Sequence, residues 1–183
     1  MTDKSVICDL PNHIGIIRAL SNDDIPAVTA IYGHHVQTST ASFETVAPSV
    51  EEMTARFTQM HSANFPILVA IDANDKVMGY AYAGPHKPRA AYSHTVEDSI
   101  YIHPDYMGLG IGRALLTAII DQAQLRGYKQ MMAVIGGSDN HGSVKLHASL
   151  GFTHIGIAQK IGFKFNKFVD VVFMQRDLES DAN

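Results

Sequence analysis

The chain has 183 residues, with 14 Lys and Arg against 18 Asp and Glu and a formal net charge of −4. That length suits one domain burying roughly 70% of the surface its unfolded chain exposes, so neither a metal nor a disulfide is needed to hold it together. The single cysteine, Cys8, excludes an intramolecular bridge, and the densest basic stretch, Lys160–Lys167, holds three lysines diluted by aromatics. Nucleic acid is therefore not an expected partner. No window approaches about 18 apolar residues, so no membrane span is expected, and the chain reads as cytoplasmic.

Residues 1–13 read as a lead-in, 14–178 as a single domain and 179–183 as a tail. Ile14–Ala19 is a short apolar run and a first strand. Ser21 offers an N-cap, with Asp24 three residues on and Pro26 in the first turn, which predicts a helix through about Val36. Ser49 caps a second helix over Val50–Met60, with Glu51 and Glu52 at its positive end. Phe65–Asp72 and Lys76–Gly84 are strands joined by the turn residues Ala73-Asn74-Asp75. Pro85–Ala91 is a Pro-containing loop with Lys87 and Arg89, and Thr95–Ile102 is the next strand, ended by His103-Pro104. Arg113–Arg126 reads as a helix, because Leu115, Leu116, Ile119, Ile120 and Ala123 share one face and Gly127 ends it. Met131–Ile135 is a buried strand, and Asp139 or Asn140 caps a short helix to Leu150. Strands over Thr153–Ile161 and Phe168–Arg176 close the domain. The order β-α-α-β-β-β-α-β-α-β-β predicts a mixed α/β sheet of about seven strands.

Between the fourth β segment, Thr95–Ile102, and the helix after it runs DYMGLGIGRALL, with glycines at 108, 110 and 112. A dinucleotide fingerprint G-x-G-x-x-G fails, because Arg113 stands where its last glycine belongs. A P-loop fails for want of the lysine. Two readings remain: a plain strand-to-helix turn, or a nest of backbone N–H groups at a helix N-terminus that holds phosphate, with glycine letting the phosphate approach.

The glycine turn followed by Asn140, His147 and Gly151-Phe152 resembles the Gcn5-related N-acetyltransferase superfamily. Five blocks in order narrow the resemblance: HHVQTSTASFE (34–44), YAGPHKPRAAY (82–92), TVEDSIYIHPDYMGLGIG (95–112), DNHGSVKLHASLGF (139–152) and GFKFNKFVDVVFMQ (162–175). Over about residues 14–176 they are similar to phosphinothricin N-acetyltransferases and to relatives acting on methionine sulfoximine and methionine sulfone. The resemblance implies the acyl-CoA N-acyltransferase fold, a mixed, mostly antiparallel seven-stranded sheet flanked by about four helices. It implies an acetyl-CoA-dependent enzyme, without a metal, that acetylates the α-amino group of a small amino-acid analogue and works as a homodimer. The alternatives are acetylation of a peptide N-terminus or a polyamine, and a non-catalytic acyl-CoA sensor.

By the same resemblance acetyl-CoA lies against Ile100, Tyr101 and Ile102, with its pyrophosphate on Gly108, Leu109, Gly110, Ile111, Gly112 and Arg113. Met107 stands where the superfamily usually has Gln or Arg, which removes a side-chain contact and leaves the backbone amides. Asn140 and Ser143 match cofactor contacts, and Asn140 also reads as a helix cap. Glu97 is the general-base candidate: a charge in this apolar, hydroxyl-rich strand is costly unless used or paired, and burial raises a carboxyl pKa toward neutrality. A glutamate on a solvent face is the competing reading. Asp98 points to the opposite face of the strand, so one of the two is expected to see the site, and the resemblance selects Glu97. His147 stands where many superfamily members place the residue that protonates the CoA thiolate. For the acceptor, Lys87, Arg89 and Tyr92 precede the Glu97 strand, with Arg89 the favoured carboxylate anchor. Thr95, at the start of that strand, joins the acceptor set, as do Phe43 and Glu44, which match the family's loop over the substrate. His86 stands where phosphinothricin acetyltransferases typically show Trp, changing the size and polarity of the pocket wall. Lys164 and Phe165 in the last hairpin are placed to reach a neighbouring subunit's site. His34 and His35 are adjacent, so they face different sides of a helix and make no metal pair.

Overall fold

Hydrophobic period fixes most of the elements, and the computed structural model, which describes residues 6–179, follows it closely. The strands are β1 (Val6–Asp9), β2 (Ile16–Ala19), β3 (Ile67–Ile71), β4 (Val77–Pro85), β5 (Thr95–Ile102), β6 (Gln130–Gly136), β7 (Thr153–Lys164) and β8 (Lys167–Asp177). The helices are α1 (Ile25–Thr38), α2 (Val50–Ser62), α3 (Ile111–Leu125) and α4 (His141–Ala148). Residues 1–5 of the expected lead-in and 180–183 of the expected tail lie outside the described residues.

The sheet has eight strands rather than the expected seven. The extra one is β1, inside the segment read as a lead-in. It is an antiparallel edge strand on β2, mostly exposed, so it carries no alternation of buried and exposed residues for the sequence to display. Strand order is β1-β2-β3-β4-β5-β6-β8-β7, and among the described residues β5–β6 is the only parallel pair.

Local chemistry sets the boundaries. Ser21 and Asp24 form a capping box at the turn before α1, with the Ser21 N–H donating to Asp24 Oδ2 at 2.8 Å. Asp24 also takes two bonds from the Arg18 guanidinium, at 2.7 and 2.9 Å, in the interior. The β3–β4 turn is locked by Asp72 Oδ1, which accepts from the N–H groups of Asn74 and Lys76. Residues Phe165 and Asn166, both at positive φ, make the tight β7–β8 turn.

Two apolar layers clasp the sheet. On one face α3 buries Leu115, Leu116, Ile119 and Ile120 against Leu68, Met78, Val96 and Met131. Each such side chain contributes about 1.5–3 kcal/mol by leaving water. On the other face α1 and α2 bury Val28, Ile31, Val36, Met53 and Phe57 against Val69, Tyr80 and Tyr101.

The parallel pair is short, and that positions the site. β5 and β6 pair only through Thr95–Glu97 with Gln130–Met132. Both strands continue, to Ile102 and Gly136, without pairing to each other. The sheet therefore opens from Asp98 onward.

Candidate active site

A cleft of about 310 Å³ occupies that opening. Its floor is β5 from Asp98 to Ile102, one wall is β6 from Ala133 to Gly136, and Asn140, Ser143, Leu146 and His147 of the α4 segment close the other side with Gly112 of α3. The expected cofactor residues Ile100, Tyr101, Ile102, Gly112, Asn140 and Ser143 all line it. Met107 lines its outer end.

The glycine turn stands at the mouth. Gly108 has φ +79° with open space where a Cβ would be, and Gly110, at φ +81°, is the left-handed cap of α3. Ala114 is the first residue whose N–H bonds back into the helix, to the Gly110 carbonyl, so the N–H groups of Ile111, Gly112 and Arg113 take no helix acceptor. No acidic residue occupies this first turn. The Ile111 side chain is buried in the core, Leu109 is exposed, and Arg113 donates to Ser149 Oγ at 2.7 Å, tying α3 to α4. Free amides, a positive helix end and an open glycine backbone fit a pyrophosphate, and the cleft behind fits the narrow arm of a coenzyme A thioester.

Two acid–base pairs flank β5 where the sheet opens. Glu97 lies on the α1/α2 side, its Oε2 at 3.0 Å from His86 Nδ1. Burial pushes the Glu97 carboxyl up, and His86 and Lys87 pull against that. On the α4 side His147 is buried, its Nε2 at 3.0 Å from Asp98 Oδ2 and its Nδ1 at 2.7 Å from the Ser143 carbonyl oxygen. Burial alone would lower the His147 pKa, but the Asp98 carboxylate and the Ser143 carbonyl outweigh it, and the net shift is upward.

Asp98 is a cleft residue that the sequence reading set aside in favour of Glu97. It does point to the face opposite Glu97, yet it lines the cleft, because the opening exposes both faces of β5. Glu97 is outside the lining of this cleft and half-exposed beside it. His35 is a second residue the sequence did not single out. It lines the cleft from α1 with Nε2 at 2.8 Å from the Ile102 carbonyl oxygen, and burial lowers its pKa. No signal separated His35 from His34 in advance. Asp98 did carry one, a charge at a core-facing strand position that demanded a partner.

The acceptor-side residues divide into two groups. His86 and Tyr92 touch edge to face at 5.8 Å, and Lys87 Nζ stands 5.6 Å over the Tyr92 ring. Arg89 is exposed at the start of the Ala90–Tyr92 turn, and Thr95 is half-buried opposite Gln130. Phe43 and Glu44 sit on the α1–α2 loop. Phe43 packs so closely on Gly162 and Gly136 that a Cβ there would stand 2.2 and 2.8 Å from its ring. The Glu44 carboxylate is engaged by Tyr32 at 2.9 Å and Arg56 at 2.7 Å, so it stiffens the loop. Lys164 does not reach outward as expected. It is buried, and its Nζ donates to the carbonyls of Ser39 at 2.9 Å and Ser42 at 2.6 Å in its own chain, while Phe165 is exposed.

The model of the acetyltransferase (GNAT) domain family matches residues 17–173. The chain belongs to this family. The enzyme is 44% identical, over 94% of its length and 91% of the relative's, to a phosphinothricin N-acetyltransferase of Alcaligenes faecalis. It is 37% identical, over 89% of its length and 94% of the relative's, to an L-methionine sulfoximine/L-methionine sulfone acetyltransferase of Pseudomonas aeruginosa. A crystal structure of a GNAT superfamily phosphinothricin acetyltransferase from Sinorhizobium meliloti, in complex with acetyl-CoA, superimposes with a TM-score of 0.88 at 38% identity, covering 93% of this chain and 92% of that one. The enzyme is an N-acetyltransferase whose acetyl donor is acetyl-CoA. Among the described residues no group of three or more His, Cys, Asp or Glu is placed to hold a metal ion, and no helix is long and apolar enough to cross a membrane.

Proposed function

We propose that the enzyme acetylates the α-amino group of a small amino-acid analogue of the phosphinothricin, methionine sulfoximine or methionine sulfone type, by direct transfer within a ternary complex. The observation that carries this reading is the placement of one acid–base pair on each face of β5 at the sheet opening. Glu97 takes the proton from the incoming ammonium, and the burial that raises its pKa makes it a stronger base than an exposed carboxylate. His86, bonded to the same carboxylate, gives that proton a route outward. Residues Ser99–Ile102 line the cleft, and those of their strand amides that are turned away from β4 would steady the oxyanion that develops on the thioester. His147, on the opposite side, supplies the proton to the departing thiolate. The amides of Ile111, Gly112 and Arg113 would hold the coenzyme's pyrophosphate, and Asn140 and Ser143 its arm.

The acceptor class is supported by charge. The loop between β4 and β5 offers Lys87 and Arg89 to an anionic substrate, with Tyr92 beside them. A groove for a polyamine would instead be lined with carboxylates, and Glu44 here is already bound to Arg56. A homodimer is supported by the apolar residues that β7 and the β7–β8 turn expose, among them Ile155, Ile157, Phe163 and Phe165. The exposed free thiol of Cys8 suits a reducing, cytoplasmic setting.

Replacing Glu97 by Gln tests the assignment. Loss of a general base costs about 10²–10⁴-fold in kcat/KM, while acetyl-CoA affinity stays near wild type. Retention of full kcat/KM between about pH 6 and pH 9 would remove Glu97 from the mechanism.

A further inference from the structure

We infer that Asp98 is a positioning residue for the reaction: its carboxylate holds His147 as an imidazolium facing the cleft, so that the ring is loaded with the proton the departing thiolate will take. This rests on the acetyltransferase reading above, in which His147 serves the leaving group. A neutral imidazole has one N–H and one bare nitrogen. His147 meets oxygen acceptors at both ends, the Ser143 carbonyl at Nδ1 and the Asp98 carboxylate at Nε2. Opposite an ionised Asp98, only the doubly protonated ring satisfies both. The Ser143 hydroxyl lies 3.4 Å from Nδ1, on the nitrogen already bonded to the helix carbonyl.

The surroundings leave little else to compensate the charge. β5 contributes Asp98, α4 contributes the Ser143 carbonyl and hydroxyl, and the segment after α4 contributes the edge of the Phe152 ring, 5.0 Å away between centroids. His35 of α1 lines the same cleft, and Glu97 lies on the other face of β5. Asp98 Oδ1 is buried and has no hydrogen-bond donor among the described residues, so the Asp98 charge is neutralised by the His147 ring alone. Both side chains are nearly closed to water, at 5% exposure for His147 and 3% for Asp98, where a pair is strongly coupled. The upward shift of the His147 pKa follows from this arrangement.

The geometry also orients the proton. Nδ1 is tied to its own helix, so Nε2 is the nitrogen presented toward β5 and the cleft. When the C–S bond of the thioester breaks, the electron pair stays on sulfur. The Nε2 proton leaves its hydrogen bond to Asp98 Oδ2 and passes to that sulfur, giving the free thiol and a neutral ring with Nδ1–H, and the ring regains a proton from water that enters the cleft once CoA has left. In this step Asp98 acts through the His147 ring and exchanges no proton with the thioester.

The test compares wild type, Asp98→Asn, His147→Gln and the double variant. The first readout is the nitrogen resonances of the His147 ring in enzyme labelled at histidine, assigned by their disappearance in His147→Gln. In wild type both ring nitrogens are protonated at neutral pH, whereas in Asp98→Asn the ring is neutral with Nδ1–H retained. The second readout is kcat against pH with the preferred acceptor. The alkaline limb moves to lower pH in Asp98→Asn, and between the two midpoints kcat falls about tenfold or more, the scale on which an adjacent opposite charge acts. In the His147→Gln background the same substitution changes nothing further. A neutral ring in wild type, superimposable profiles for wild type and Asp98→Asn, or an Asp98 effect that persists without His147 would each overturn the proposal. Failure of the wild-type enzyme to release CoA on any amine would instead refute the acetyltransferase reading, and the resonances would still decide the state of the pair.

Discussion

Replacing Lys164 by Met should loosen the acceptor side of the site and leave the donor side intact. Lys164 is 4% exposed, and its ammonium donates to the Ser39 and Ser42 carbonyls, which begin the α1–α2 loop. Hydrogen bonds from a charged donor are worth about 1.5–3 kcal/mol each. Burial of the ammonium opposes them, and Glu44 is the charge that acts on it across the loop. Thr40 Oγ1 still anchors the loop to the Gly136 carbonyl at 3.0 Å, and Phe43 stays against Gly162. The net loss is therefore about 1–3 kcal/mol of loop closure, or roughly 5–150-fold in the fraction closed. Initial rates with varied acceptor at saturating acetyl-CoA should show the acceptor KM rising by that factor. The acetyl-CoA KM should stay within about twofold, because the glycine turn and α4 do not touch the loop's lysine. An unchanged acceptor KM, or equal rises in both constants, would refute the idea that Lys164 secures the loop over the acceptor.

Two further outcomes follow from other parts of the structure. Asp24→Asn leaves the Arg18 guanidinium buried without its counter-charge and should cost about 3–5 kcal/mol in urea unfolding at neutral pH. Burial would raise the Asp24 pKa, but the Arg18 and Ser21 bonds overcome it, and the folded value lies below the unfolded one. The stabilisation is thus present above about pH 4 and is lost as pH falls through the folded pKa, so the gap between variant and wild type should narrow on acidification; a gap independent of pH would contradict this. Gly110→Ala places a side chain at φ +81°, 3.4 Å from Pro11, and displaces the α3 amides; calorimetry should show weaker acetyl-CoA binding by about 1–3 kcal/mol, and unchanged binding would remove the turn from the coenzyme site.

Much of this arrangement was legible in the sequence, for reasons that particular residues make clear. Helix α3 announces itself through Leu115, Leu116, Ile119 and Ile120, because a single apolar face at helical spacing has one way to be buried. The capping box at Ser21 and Asp24 and the Asp72 turn are local chemistry, readable within a few residues. Val6–Asp9 was not legible as a strand, because an exposed edge strand lacks a buried face and its pairing partner, β2, is a separate segment further along the chain. The site shows the same division. The resemblance drew Glu97, His147 and the glycine turn together, but period-two alternation set Asp98 aside. Alternation assumes that a sheet has two separated faces, and that assumption fails where β5 and β6 part at residue 98. Lys164 was misplaced for a related reason. A lysine near a hairpin turn reads as solvated, and only the fold of the α1–α2 loop brings two carbonyls to it.

The most direct test of the central claim is CoA thiol release with acetyl-CoA and a panel of amines: phosphinothricin, methionine sulfoximine, methionine sulfone, ordinary amino acids, spermidine and a short peptide. Turnover should be confined to the phosphinate, sulfoximine and sulfone compounds, with the α-amino group acetylated in the product. Turnover only on spermidine or the peptide would contradict the acceptor assignment and the part given to Arg89 and Lys87.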